Sequence, residues 1–151
     1  MTKAYLFGWN PTKFAWDNID NDIQKLKTTG ELVDNWSVAS HKTIQTGDRA
    51  YIIRLGMEPR GIFASGYVKS EPYLASRKGR IYHRIDIALD VLLNPARERI
   101  LTFDILKTGN LAEQTWAPQA SGISIRPHLF DELEGVWLDF LDGHEHFGSL
   151  V

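Results

Sequence analysis

Histidines and carboxylates are the side chains that could make this chain an enzyme or a metal protein, because imidazole serves both as a general base and as a metal ligand. Of the five histidines, only His144 and His146 lie close together, in a Gly-His-Glu-His segment near the C-terminus. No HExxH motif and no third ligand at a matching spacing accompanies them, and the chain contains no cysteine. The sequence therefore predicts neither a metal ion nor another cofactor.

Nucleophile and phosphate-binding motifs are also missing, since the chain has no GxSxG, Walker A or dinucleotide-binding pattern. Asp48, in Gly-Asp-Arg, has the residue type of a catalytic acid, but its place before a strand favours a turn in which the carboxylate binds nearby backbone. We therefore expect no catalytic residue and a binding domain rather than an enzyme. A hydrolase or nuclease is the alternative, weakened by the missing metal ligands.

The five tryptophans give a better indication of function. Trp137 lies on the apolar stripe of a predicted helix, and Trp16, near a helix start, is expected to pack. Trp9, Trp36 and Trp116 instead lie at element edges or in loops, next to small or polar residues. Loops often carry function, and stacking of a base on an aromatic ring contributes about 1–3 kcal/mol. These three residues predict a pocket for a planar ligand; the alternative is that they close the open ends of a barrel.

Hydrophobic periodicity predicts the elements that would position such a pocket. Strands are expected over 3–9, 50–55, 61–68 and 81–92, with a hairpin connection at 56–60. Helices are expected over 17–27 and from 127 onwards, a basic loop over 70–80, and a short strand and short helix within 100–113. The pattern predicts an α+β fold in which a curved, mostly antiparallel sheet closes toward a barrel with flanking helices. The length of 151 residues predicts a single domain over 1–151.

The charges are distributed unevenly along the chain, although the net charge is only -2. Residues 42–84 contain nine basic and three acidic residues, whereas the flanking segments are acidic on balance. This asymmetry predicts one basic face; the alternative is that each charge is simply solvated. The absence of cysteine favours a reducing compartment, and no apolar run approaches the roughly 20 residues that span a membrane. We therefore expect a cytoplasmic protein with no membrane partner.

The segments FGWNP, NWSVASHK, TGDRAYIIRLGMEPRGIFASGYVKSEP and WAPQASGISI, in this order, resemble the EVE-like domains of the PUA-like superfamily. The resemblance extends from Tyr5 to about Leu141 and is greatest to the domains at the N-terminus of modification-dependent HNH restriction endonucleases. Trp36-Ser37 is also similar to the Trp-Ser pair of YTH domains, which bind methyladenine in RNA. The resemblance implies a pseudo-barrel with an aromatic pocket that recognises a modified base.

For the endonuclease-linked relatives, the resemblance implies modified cytosine in double-stranded DNA, either 5-methylcytosine or 5-hydroxymethylcytosine. It also implies an HNH nuclease domain as a partner, and no HNH segment occurs within these 151 residues. The modified base must rotate out of the duplex, at a cost of a few kcal/mol, before a pocket can enclose it.

The expected site residues follow from the implied pocket for a modified base together with the residue types in the matching segments. Trp36 is expected to be the main stacking face, and Trp9 or Tyr73 the opposite or side wall. Asn10 and Ser37 are expected to bind the edge of the base, since an amide both donates and accepts hydrogen bonds. Trp116 completes the expected base-binding set. Phosphate contacts, which position DNA without specifying its sequence, are expected from Lys42, Arg60, Arg77, Lys78 and Arg80.

Two other binding functions remain open from the sequence. An RNA-binding or modified-nucleotide-binding module of the same superfamily would have the same composition, because contacts with a 2′-hydroxyl are not visible in a sequence. A pocket for a free base or metabolite would make the basic segment incidental, and its binding would be insensitive to salt.

Overall fold

A single curled sheet dominates the computed structural model, which describes the backbone of residues 3–149 and the side chains as far as residue 144. The strands are β1 (Ala4–Trp9), β2 (Leu32–Ser37), β3 (Arg49–Arg54), β4 (Gly61–Val68), β5 (Tyr73–Arg77), β6 (Arg80–Leu92), β7 (Leu101–Thr102) and β8 (Ile123–Ser124). The helices are α1 (Ile19–Thr29), α2 (Phe103–Leu106) and α3 (Phe130–Ser149), with 3-10 turns at Gly109–Glu113 and Pro127–Leu129. No helix among residues 3–149 is long and apolar enough to cross a membrane.

The strand order is β2-β6-β4-β3-β1-β8, with β5 paired to β6 and β7 paired to β4. β1 runs parallel to β3, and the other strand pairs of the described chain are antiparallel. The 13-residue strand β6 pairs with β2, β4 and β5 along its length, so it links the curled sheet to a projecting hairpin. The prediction of an α+β fold with a mostly antiparallel, curved sheet is confirmed.

The middle of the sheet is covered on both faces, which explains why every residue of β3 is buried. α3 packs on the sheet through the buried side chains of Leu133 and Trp137. The predicted apolar stripe of this helix is therefore confirmed.

A polar network fixes α3 to the sheet inside this apolar contact. The guanidinium of Arg49, which is 3% exposed, donates to Asp90 over 2.8 Å and to Glu134 over 3.1 Å. The indole of Trp137 donates to Ser65 Oγ over 3.0 Å, and that hydroxyl donates to Asp90 over 2.6 Å. The buried cation is thereby paired with two carboxylates, the condition under which a buried charge is tolerated.

Local turns agree with the sequence patterns that predicted them. Gly30 ends α1 in a left-handed conformation, with φ of 74°, and its N–H donates to Leu26 O over 2.8 Å. Asp48 accepts the N–H of Gln45 over 2.8 Å, so its carboxylate holds a turn, as expected.

Three strands were not predicted: β2, β5 and the two-residue strand β8. The first two border the pocket described below. β2 lacks an apolar alternation because Asp34 occupies the inner-facing position between Leu32 and Trp36. β5 lies in the expected basic loop and pairs with the first residues of β6. Because this hairpin projects beyond the sheet, Ile81 is 71% exposed, although it shares a strand face with the buried Ile85.

Candidate functional site

A pocket of about 310 Å³ opens between the segment after β1, the end of β2 and the β5–β6 hairpin. This volume is at the lower end of the range for small-molecule sites. The lining residues come from four separate parts of the chain, and most are aromatic or polar. They are Gly8, Trp9, Phe14, Ala15, Trp16, Asp34, Asn35, Trp36, Ser37, Arg77, Arg84 and Ser121.

Three tryptophans form the aromatic wall of this pocket. The ring centroids of Trp9 and Trp16 lie 5.6 Å apart at 88°, and those of Trp16 and Trp36 lie 6.1 Å apart at 60°. Phe63 supports Trp9 from the core at 5.3 Å, and Phe7 supports Trp36 at 6.5 Å. These edge-to-face and tilted arrangements are favourable for aromatic pairs and hold the wall rigid.

The indole N–H groups of the wall differ in their hydrogen bonding. Trp9 donates to Phe14 O and Trp16 donates to Asp22 Oδ2, each over 2.8 Å. The N–H of Trp36 is buried and has no partner among the described residues. A buried donor without a partner is unfavourable, so a ligand acceptor or an ordered water at this atom would stabilise the pocket.

Arg84 of β6 organises the polar rim. Its Nε donates to Asn35 Oδ1 over 2.6 Å, and its Nη1 donates to Ser37 Oγ over 3.0 Å. On the far side, Ser121 Oγ accepts the N–H of Gly8 over 3.1 Å. Both serine hydroxyls are acceptors in these bonds, so each keeps its proton for donation to a ligand.

A carboxyl group, that of Asp34, belongs to the same lining. Its Oδ1 accepts the N–H of Asn35 over 2.8 Å. Desolvation by the surrounding protein raises its pKa, the Asn35 N–H lowers it, Asp22 raises it further and Arg84 opposes the rise. The pocket therefore combines π faces with an acidic group that protonates more easily than an ordinary aspartate.

The turn of the β5–β6 hairpin brings basic side chains to the pocket mouth. Lys78 and Gly79 both have positive φ, 51° and 77°, as a two-residue type I′ turn requires. Arg77 lines the pocket, and its guanidinium lies 5.0 Å from the ring of Phe14. Arg80 pairs with Arg77 across the turn, and Lys78 borders the adjoining hollow. Three of the residues that were predicted to contact phosphates therefore lie on the hairpin that borders the aromatic wall.

Three of the expected base-binding residues are not brought to the pocket. Trp116 is 3% exposed and donates its indole N–H to Leu111 O over 2.8 Å, so it is a core residue, which corrects the expectation. Asn10 lies outside the lining of this pocket: its Oδ1 accepts the N–H of Thr12 over 3.0 Å in a turn, and it borders a second hollow instead. Tyr73 lies on β5 with its hydroxyl donating to Asp86 over 2.7 Å.

The basic segment 42–84 does not form a single basic face, because several of its Lys and Arg side chains are buried or paired with carboxylates. Arg49 and Arg54 are buried, and Lys69 pairs with Glu31. Arg60 donates to Glu58 over 2.8 Å, and it lines a second hollow of about 630 Å³ together with Asn10, Lys13 and the residues 117–121. Lys42 is exposed in the segment that follows β2.

Several pocket residues were missed by sequence reasoning or assigned to packing, among them Trp16, Asp34, Arg84 and Ser121. Trp16 does pack, but against the other pocket tryptophans. Asp34 could have been found only by recognising β2, since it shares a strand face with Trp36. Arg84 lies opposite Ser37 in the register of β2 and β6, which requires that pairing to be known.

Within the described side chains, no group of three His, Asp, Glu or Cys residues is arranged to hold a metal ion. His144 Nε2 lies 3.9 Å from Glu98 Oε1. The side chain of His146, the other half of the histidine pair, lies outside the described residues.

Among solved structures, a hypothetical protein from Leishmania major has a TM-score of 0.66 at 14% identity, over 93% of this chain and 98% of that one. Protein PSPTO5229 from Pseudomonas syringae has a TM-score of 0.59 at 14% identity, over 88% and 98%. Human THYN1, crystallised in complex with DNA containing 5-methylcytosine, has a TM-score of 0.59 at 12% identity, over 89% and 97%. No protein-family model and no curated protein matches the chain. This chain therefore has the same overall fold as these proteins, an α+β structure built on a curled, mixed sheet.

Proposed function

We propose that this protein binds double-stranded DNA that carries a modified cytosine, 5-methylcytosine or 5-hydroxymethylcytosine, and holds that base rotated out of the duplex in the tryptophan pocket. The observation that carries the proposal is the meeting of three tryptophans with a basic hairpin at one opening. The structural likeness to THYN1, seen with 5-methylcytosine DNA, supports the same class of ligand.

The aromatic wall can replace the stacking interactions that a flipped base loses when it leaves the duplex. Unstacking costs a few kcal/mol, and stacking on an aromatic ring returns about 1–3 kcal/mol per base. Hydrogen bonds from the Trp36 N–H and the hydroxyls of Ser37 and Ser121 add to this on the edges of the base. The pocket thus offers both the face and the edge contacts that a single extruded base needs.

The hairpin supplies the sequence-independent part of binding. Arg77 lines the pocket, Lys78 borders the adjoining hollow and Arg80 pairs with Arg77, which supports phosphate contacts from all three when a base enters beside Phe14. Arg60 and Lys13, at the second hollow, continue the basic path on the other side of Ser121. Such contacts fix orientation, while the pocket decides between modified and unmodified bases.

We further propose that the chain is the specificity domain of a modification-dependent HNH restriction endonuclease in the cytoplasm, and that it has no nuclease activity itself. The sequence resemblance to the EVE-like domains of those enzymes supports this role. The pocket also lacks a nucleophile-base pair, since its titratable side chains are Asp34 and two arginines.

Binding to matched duplexes tests the proposal. Fluorescence anisotropy should show tighter binding when one cytosine is replaced by 5-methylcytosine or 5-hydroxymethylcytosine, with N6-methyladenine DNA and methylated RNA as comparison arms. The same mixtures, incubated with magnesium or manganese, should show no cleavage. Equal affinity for modified and unmodified DNA would overturn the proposal, and a preference for the RNA arm would assign the pocket to RNA.

A further inference from the structure

We propose that Asp34 reads the Watson–Crick edge of the flipped base and selects bases that present an exocyclic amine beside a ring-nitrogen acceptor. This inference rests on the proposed function of the pocket and names the residue that decides which bases it accepts. Cytosine and adenine derivatives carry this edge, with the amine as donor and N3 or N1 as acceptor. Thymine, uracil and guanine present a carbonyl beside a ring N–H at the same positions.

The place of Asp34 in the sheet is the first argument. In the register of β2 with β6, Leu32, Asp34 and Trp36 lie opposite Leu89, Ile87 and Ile85, all of which are buried. The carboxyl therefore occupies a position that the strand otherwise fills with apolar side chains. Asp34 lines the tryptophan pocket on the same strand face as Trp36, so a base stacked on Trp36 would lie beside a carboxyl group rather than an apolar side chain.

The hydrogen bonding of Asp34 is the second argument. Oδ1 accepts the N–H of Asn35, and no side chain among the described residues bonds to Oδ2. Asp34 is exposed at the pocket opening, so a ligand can reach its carboxyl group. One carboxyl group can then contact two adjacent atoms on one edge of a base.

The protonation state decides which edge is complementary. A neutral carboxyl donates its O–H to the ring nitrogen of cytosine and accepts the amine proton through its other oxygen. An ionised carboxylate can only accept, so it repels the ring nitrogen of cytosine and instead suits two adjacent N–H donors, as guanine offers. Desolvation raises the pKa of Asp34, and a base stacked over the carboxyl would remove more water and raise it further.

The charged groups that face Asp34 come from three sides. Asp22 of α1 and Asp86 of β6 disfavour its ionised form, whereas Arg84 of β6 favours it. Arg77 of the hairpin also lines the pocket. Because the pKa of Asp34 is higher with the base bound than without it, affinity should be greatest below the pKa of the free protein. It should fall as the pH rises through the pKa of the complex.

The sharpest test compares 5-methylcytosine with thymine, which share the 5-methyl group and O2 and differ only at the edge in question. Each base is placed opposite the same abasic-site analogue, so that no Watson–Crick pair has to be broken. The wild-type protein should prefer 5-methylcytosine by roughly ten- to a hundredfold. Asp34→Asn keeps an acceptor and a donor, so it should keep this preference and lose the decrease in affinity with rising pH that the wild-type protein shows. Asp34→Ala should lose the preference itself.

Asp17→Asn, which removes the same charge from an exposed position outside the pocket lining, is the matched control and should behave as wild type. Equal wild-type affinity for the two bases, or an Asp34→Ala variant that still prefers 5-methylcytosine, would overturn the role of Asp34. That result differs from failure of the proposed function, which is equal binding of cytosine and 5-methylcytosine duplexes. Absence of any DNA binding by the full chain would overturn both.

Discussion

At the scale of single residues, Trp36 is where stacking and hydrogen bonding meet in the pocket. Its ring contacts Trp16 and Phe7, and its buried N–H has no partner among the described residues. Trp116 is a useful comparison, since it is more deeply buried than Trp36 and its indole N–H already donates to Leu111 O. The two residues therefore differ in one respect that matters for binding: the indole N–H of Trp116 is satisfied within the protein, and that of Trp36 is not.

Trp36→Ala should lower affinity for the modified duplex by roughly ten- to a hundredfold, because it removes a stacking face of about 1–3 kcal/mol. Binding to unmodified DNA, which depends on phosphates, should change little. Trp116→Phe should lower the melting temperature and leave the ratio of modified to unmodified affinity intact. Titration and thermal melting of both variants check this, and the assignment is wrong if Trp36→Ala only lowers the melting temperature.

The sequence identified Trp9, Trp36, Ser37 and Arg77, which the structure brings to one opening, because an indole beside polar residues outside a helix is conspicuous. It misplaced Trp116 for the same reason, since a loop tryptophan can also fold inward and bind backbone. Asp34 and Arg84 could not be predicted as pocket residues from the sequence. Their positions depend on the register between β2 and β6, which is set by strand pairing rather than by local sequence.

At the scale of elements, the β5–β6 hairpin presents different chemistry on its two faces. Cross-strand pairing places Arg77 with Arg80 and Ala75 with Tyr82 on one face, beside the pocket. Ser76 and Ile81 lie on the other. Sequence reasoning assigned residues 70–80 to a loop because lysine and arginine mask the alternation of a short, exposed strand.

Replacing Arg77, Lys78 and Arg80 with Ala should weaken binding to modified and unmodified duplexes alike. The slope of log affinity against log salt should become shallower by about 2 to 3, since each lost phosphate contact contributes about 0.9. A control that removes the exposed cations Lys25, Lys27 and Lys107 should leave the slope unchanged. A triple hairpin variant that loses only its preference for modified DNA would contradict the phosphate assignment.

At the scale of the whole molecule, the polar network that stabilises the fold lies apart from the tryptophan pocket. The network of Arg49, Asp90 and Glu134 joins α3 to the sheet without bordering the tryptophan pocket. The fold class could be predicted because strand alternation, the Gly30 cap and the stripe of α3 are local patterns. The parallel pairing of β1 with β3 could not, because it joins segments about forty residues apart.

Glu134→Ala should lower stability by about 3 kcal/mol, because it leaves the buried guanidinium of Arg49 with one carboxylate and deprives the Tyr51 hydroxyl of its acceptor. For a domain of this size, the melting temperature should fall by about 10 °C. Discrimination between modified and unmodified duplexes should persist at temperatures where the variant is folded. Loss of discrimination in the folded variant would mean that the helix and the pocket are coupled.

The close contact of Trp9, Trp16 and Trp36 has an optical consequence. With centroids 5.6 Å and 6.1 Å apart, the three chromophores share excitation, whereas Trp116 and Trp137 lie outside the pocket lining. A nucleobase that stacks on one of these rings should therefore change the emission of all three, and also the near-ultraviolet circular dichroism that their geometry produces. The protein thus contains an intrinsic reporter of what occupies its pocket, and unlabelled ligands can be followed through the emission of its own side chains.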